Sequence, residues 1–116
     1  MLLPAGTKIY VGAPAQPLPE ETEKRIKHEL SRIQNIEEAH VPMCYIPTRM
    51  QKPEIVLCIV TNEKDADDQA MAAVNGLLSR ILPQGQYLDV WSLREGHWLV
   101  EQIRDTESCV YMKEQI

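Results

Sequence analysis

Ile55-Val-Leu-Cys-Ile-Val60 is apolar at every position, and its reading decides the fold. A strand points successive side chains to opposite faces, so this run leaves no face suited to water. It is expected to be a central strand, covered on both sides, or by helices on one side and a partner on the other.

Upstream of it, Pro47 to Pro53 is a polar loop carrying Thr48, Arg49, Gln51 and Lys52. Before that loop, Ala39 to Ile46 alternates as a second strand. Pro42 inside it has no N–H for a ladder, which predicts an edge strand or a bulge. This strand and the central one can form a wide hairpin. Further back, Pro19 followed by Glu20, Glu21 and Glu23 suits a helix start, where the acids meet the positive end of the dipole. The helix is expected to run to about Gln34, with Ile26, Leu30 and Ile33 as its buried stripe. At the front, Thr7 to Val11 reads as a short strand between Gly6 and the Gly12-Ala-Pro14 stop.

Downstream, Thr61 or Asn62 can cap a second long helix, with Glu63, Asp65, Asp67 and Asp68 crowding its first turns. Ala66, Ala70, Ala73 or Val74, Leu77 and Ile81 recur at helical spacing, and Pro83-Gln-Gly85 stops the helix. Tyr87 to Trp91 alternates as a strand, Glu95 to Arg104 predicts a short helix, and Cys109 to Met112 a closing strand. The order is β-α-β-β-α-β-α-β. We expect an α+β fold, residues 1–116 as one domain, with a mixed sheet of about five strands and the two long helices packed on one face. The other face needs cover, which the short third helix can supply in part.

The chain has 12 basic and 17 acidic side chains, a net charge of −5. That balance argues against nucleic acid as a partner and suits a basic partner surface. Its cysteines, Cys44, Cys58 and Cys109, are widely spaced with no zinc-site pattern, which fits a reducing compartment. Met1-Leu-Leu-Pro4 lacks the basic and apolar regions of a signal peptide, and no run approaches membrane-spanning length. A cytoplasmic location and no membrane partner are expected.

No catalytic set stands out. Gly6 and Gly12 bracket a strand, whereas a phosphate loop needs a Lys-Ser/Thr pair entering a helix. The acids Glu63 to Asp68 lack the glycine and the distal glutamate of a calcium loop, and a helix start explains them. No metal or cofactor is expected. His40 and Cys44, four apart in one strand, point to the same side, but no third orienting group is evident. A thiol enzyme built on them would show rapid alkylation of one cysteine. Trp91, Trp98, Tyr45 and Tyr87 are core residues by default, but an exposed Trp91 or Trp98 beside Arg49 and Arg94 would mark a protein-binding surface.

Leu3-Pro-Ala-Gly-Thr-Lys-Ile-Tyr-Val-Gly-Ala-Pro14 resembles the start of the C-terminal domain of the SseB family, named for enhanced serine sensitivity. Glu37-Glu-Ala-His-Val41, Ile55 to Val60, Leu82-Pro-Gln-Gly-Gln-Tyr-Leu-Asp-Val90 and the closing Cys109-Val-Tyr-Met-Lys113 extend the resemblance along the chain. In the family this domain commonly follows a separate N-terminal domain. The resemblance implies no catalytic residues. It implies either an immunity role beside a secreted toxin, or regulation of serine and sulfur amino-acid metabolism through a bound ligand or enzyme.

We therefore expect a non-enzymatic protein-binding module, most sharply an immunity-type inhibitor of a bacterial toxin domain with a basic surface. The contact residues expected are Arg49, Lys52, Arg94, His97 and Trp98. The competing surface is the acidic set Glu63, Asp65, Asp67 and Asp68. The oligomeric state is left open.

Overall fold

The computed structural model describes residues 8–33, 35–61, 67–86 and 88–113. Along the chain lie β1 (Tyr10–Gly12), α1 (Glu20–Leu30), β2 (Ile36–His40), β3 (Met43–Tyr45), β4 (Glu54–Thr61), α2 (Asp67–Ile81), β5 (Asp89–Arg94), α3 (Trp98–Arg104) and β6 (Cys109–Met112).

β4 is the central strand that its apolar run predicts. β5 lies parallel along one side of it, from Val56↔Asp89 to Thr61↔Arg94. The other side is shared by β3, opposite Glu54 and Ile55, and β2, opposite Cys58 to Thr61, both antiparallel. Outside these, β1 pairs with β3 and β6 with β2. Among the described residues the sheet is mixed and six-stranded.

The alternation of β4 divides the core in two. Leu57 and Ile59 face the cluster built by Ile26 and Leu30 of α1 and by Ala70, Val74, Leu77, Leu78 and Ile81 of α2. Val56, Cys58 and Val60 face the opposite cluster, where Leu99, Val100 and Ile103 of α3 close over Cys44, Trp91 and Leu93. The long helices therefore share one face, and α3 covers the other.

Several boundaries differ from the sequence expectation. The stretch Ala39 to Ile46 is two strands, giving six among the described residues, and neither is an edge. The ladder breaks at Val41-Pro42 because Pro42 offers no N–H; there Val41 N–H turns to the Ser108 carbonyl at 2.9 Å, while the Pro42 carbonyl still accepts from Val56 N–H at 3.0 Å. α1 stops at Leu30, short of Gln34, which lies outside the described residues. Its end tightens, with Arg32 N–H bonded to the Glu29 carbonyl at 3.2 Å and Ile33 N–H to the Leu30 carbonyl at 3.0 Å. β5 begins two residues after Tyr87, which also lies outside the described residues, and carries on to Arg94.

α3 starts at Trp98 because a turn precedes it. Gly96 sits at φ +90°, a conformation that L side chains rarely adopt. His97 then caps the helix, its Nδ1 accepting from Leu99 N–H at 3.1 Å.

Candidate functional site

Chemistry concentrates on the α3 face of β2. Glu38 and His40, two apart in the strand, point to the same side, and each is only 2% exposed. His40 Nε2 lies 2.7 Å from Glu38 Oε2. Arg104, at the end of α3, presents its guanidinium to the same carboxylate: Nε is 3.1 Å from Oε1 and 3.2 Å from Oε2, and Nη2 also donates to Oε1. Its remaining donors reach Glu101 Oε1 at 2.7 Å and Glu95 Oε1 at 3.2 Å. Burial pushes the Glu38 carboxyl up, but the hydrogen bonds from Arg104 and His40 outweigh it and hold the group below the usual carboxylate range. Glu38 in turn raises Arg104.

This cluster ties α3 to the sheet. Its carboxylate is saturated with donors, which leaves little capacity to take a proton from a substrate. His40 Nδ1 is buried with no hydrogen-bond partner among the described residues.

The thiols do not form a nucleophilic site with His40. Cys44 and Cys58 are both fully buried, His40 stands opposite Cys58 on β4, and its Nε2 is spent on Glu38. A hydrogen bond with Cys44, and then burial, push the Cys58 thiol well up, away from the thiolate. Cys109 is exposed on β6, and burial of its thiol raises it as well. In native protein near neutral pH, iodoacetamide should modify Cys109 slowly and leave Cys44 and Cys58 untouched until urea unfolds the chain. Fast labelling of either buried thiol, read by mass spectrometry, would contradict this geometry.

Arg49 and Lys52 lie exposed in the loop before β4, whereas Arg94 and Trp98 lie exposed beyond its far end, with His97 half-buried between them. Lys52 precedes Glu54, and Arg94 stands opposite Thr61. The seven steps from Glu54 to Thr61 span roughly 23 Å at strand rise. The structure therefore brings Arg94, His97 and Trp98 together and sets Arg49 and Lys52 apart from them. Lys52 instead borders a hollow of about 410 Å³ shared with Glu54 and Asp89.

The two tryptophans part ways. Trp91 is 6% exposed in the α3 core, and Trp98 is 57% exposed, its ring stacked on His97 at 5.6 Å and 27°. Of the acidic set, Glu63 and Asp65 lie outside the described residues. Asp67 and Asp68 are the first two residues of α2.

Glu38 and Arg104 are the residues that sequence reasoning missed. A glutamate two residues before a histidine, next to a proline-broken run, is a hint that a cation must arrive. Nothing local says that it comes from 66 positions downstream.

Among the described residues, no group of three His, Cys, Asp or Glu is placed to hold a metal ion, and no helix is long and apolar enough to cross a membrane. No curated protein and no solved structure matches the chain. Residues 3–106 match the family described as the SseB protein C-terminal domain, a stretch that runs from before β1 to just past α3 and leaves β6 outside. The chain belongs to the SseB family, as a C-terminal domain.

Proposed function

We propose that this domain is a non-enzymatic protein-binding module, in its sharpest form an immunity-type inhibitor that binds and neutralises a bacterial toxin in the cytoplasm. Trp98 carries the proposal. It is a large aromatic residue left 57% exposed on a helix whose other face is locked into the core, and it is stacked on His97 beside Arg94. Tryptophan and arginine are the side chains most enriched at interface hot spots, and a rigid support lowers the entropy lost on binding. The chemically richest cluster of the protein, Glu38 with His40 and Arg104, is occupied in holding α3 to the sheet.

The net charge of −5 favours encounter with a basic partner.

The test is a binding titration with the co-purifying partner from native cells. Trp98→Ala with Arg94→Ala should weaken the complex by at least about 2 kcal/mol, roughly 30-fold in Kd. Circular dichroism establishes that the double variant is folded. An unchanged Kd in folded protein, with a large loss for Asp67→Lys and Asp68→Lys, moves the interface to the start of α2. A chain that binds no protein and protects against no neighbouring toxin sinks the proposal.

A further inference from the structure

A second surface, at the opposite rim from β5, has the chemistry of a strand-docking groove. β6 pairs only with β2, and its outer side carries no strand among the described residues. Lys113 N–H donates inward to the Glu37 carbonyl at 2.8 Å. Backbone groups alternate along an antiparallel edge, so those of Met112 turn outward. Exposed edges are normally blunted by charge or proline. β6 reads Cys-Val-Tyr-Met, with Met112 57% exposed and no charge before Lys113. The β5 rim, by contrast, carries Asp89 and Arg94 at its two ends.

α1 overhangs this edge. Between them is an open cavity of about 480 Å³, lined by Lys24, Lys27, His28 and Ser31 from the helix and by Tyr111 and Met112 from the strand. The helix residues fall at a spacing that places them along one face. Lys24 is shared with Glu20 at 3.4 Å in a pair exposed on both sides, which is weakly held. Lys27 and His28 form no ion pair among the described residues. In an acidic chain, an apolar sheet edge is therefore roofed by the two lysines, Lys24 and Lys27.

We propose that an extended acidic segment of another protein adds to the sheet beside β6, its backbone bonding the open edge and its carboxylates meeting Lys24, Lys27 and His28. Charge complementarity selects this occupant. A second copy docked edge to edge about a two-fold axis would set each Lys24 and Lys27 against its own counterpart, which repels. The four residues of β6 offer roughly 13 Å of edge, enough for a short segment whose alternate side chains point into the groove.

The probe is a fluorescein-labelled peptide alternating valine and glutamate, titrated with the full chain and followed by fluorescence anisotropy. A lysine-for-glutamate version and versions N-methylated at alternate amides are the controls. The acidic peptide should bind in a salt-sensitive way. Lys24→Glu with Lys27→Glu, both exposed substitutions, should weaken it at least about tenfold. One N-methylation register should abolish binding and the other spare it. The Trp98→Ala, Arg94→Ala variant should bind the peptide like the parent chain, which separates this groove from the surface proposed above. The proposal is overturned by equal binding of the lysine peptide, by indifference to N-methylation in both registers, or by no binding at millimolar peptide. Competition by free glutamate at the peptide's own affinity, which would mark a small-anion site, overturns it too. So does a β6-mediated dimer in sedimentation that excludes the peptide.

Discussion

Replacing Arg104 by methionine is expected to destabilise the fold by about 3 kcal/mol, at the low end of what breaking a buried ion pair costs. The reason is what it leaves behind. Glu38 is 2% exposed, and without the guanidinium its carboxylate keeps, among the described residues, only His40 as a partner. The low end applies because the Arg104 side chain is 35% exposed, so water reaches part of the pair. Arg104→Lys should recover only part of the loss, since an ammonium cannot reproduce the forked contact with Glu38. Glu38→Gln should cost less, about 1–2 kcal/mol, because Arg104 keeps Glu95, Glu101 and solvent. Urea unfolding of the three variants tests the order. If Glu38→Gln costs as much as Arg104→Met, the burden does not lie on a stranded carboxylate.

The same cluster fixes a pH dependence. Its folded-state carboxyl is held below the ordinary value, so its contribution is fully present above the unfolded pKa, near 4.3. It fades as pH falls from there through the lowered folded value. In Arg104→Met only His40 still opposes burial, and the carboxyl should titrate higher than in the parent. The stability gap between the parent and Arg104→Met should therefore be largest near neutrality and shrink as pH falls through the variant's folded value toward the parent's lowered one, the unfolded value being common to both. Urea titrations from pH 7 to 3 measure it. A gap that is constant with pH would mean that the cost is lost packing of the Arg104 stem rather than charge.

What was legible in the sequence was whatever a local pattern determines. An all-apolar six-residue run has one resolution in a domain of this size, and β4 takes it, with a helical layer on each side. The stripe Ile26, Leu30 and Ile33 packs on the sheet as its spacing predicts, although Ile33 lies past the end of α1. Pro42 announced trouble in its strand, but whether proline yields an edge, a bulge or a break depends on the strands alongside, and those come from β1 and β6 at the two ends of the chain. Trp91 and Trp98 look alike in sequence. One alternates into the core and the other begins a helix, and only the Gly96 turn that starts α3 three residues later than expected separates them. Arg49 and Arg94 looked like one surface because both border strands. The parallel pairing of β4 and β5 sets them at opposite ends. Tertiary placement decides each of these, and a single sequence leaves it open.

The largest loss is expected where both cores are opened at once. Ile59 is fully buried under α1 and α2, and Ile103 is 1% exposed under α3. Ile59→Ala and Ile103→Ala should each cost about 3–4 kcal/mol, the transfer of the lost side-chain atoms plus an unfilled cavity. The sheet lies between the two sites, with roughly 10 Å between packed layers, so the costs should add to within about 0.5 kcal/mol. A sum near 7 kcal/mol rivals the whole stability of a small domain, about 5–15 kcal/mol, and the double variant should be largely unfolded or close to it. Urea midpoints of the two single variants test the additivity, and an Ile103→Ala cost under about 1 kcal/mol would mean that α3 is laid loosely on the sheet. The pair also bears on function, because α3 carries Trp98 and α2 does not. At a temperature where both single variants are folded and equally stable, Ile103→Ala should weaken partner binding more than Ile59→Ala, since only the first loosens the helix that presents the tryptophan. Equal binding by the two would detach α3 from the interface and leave the start of α2 as the surface to pursue.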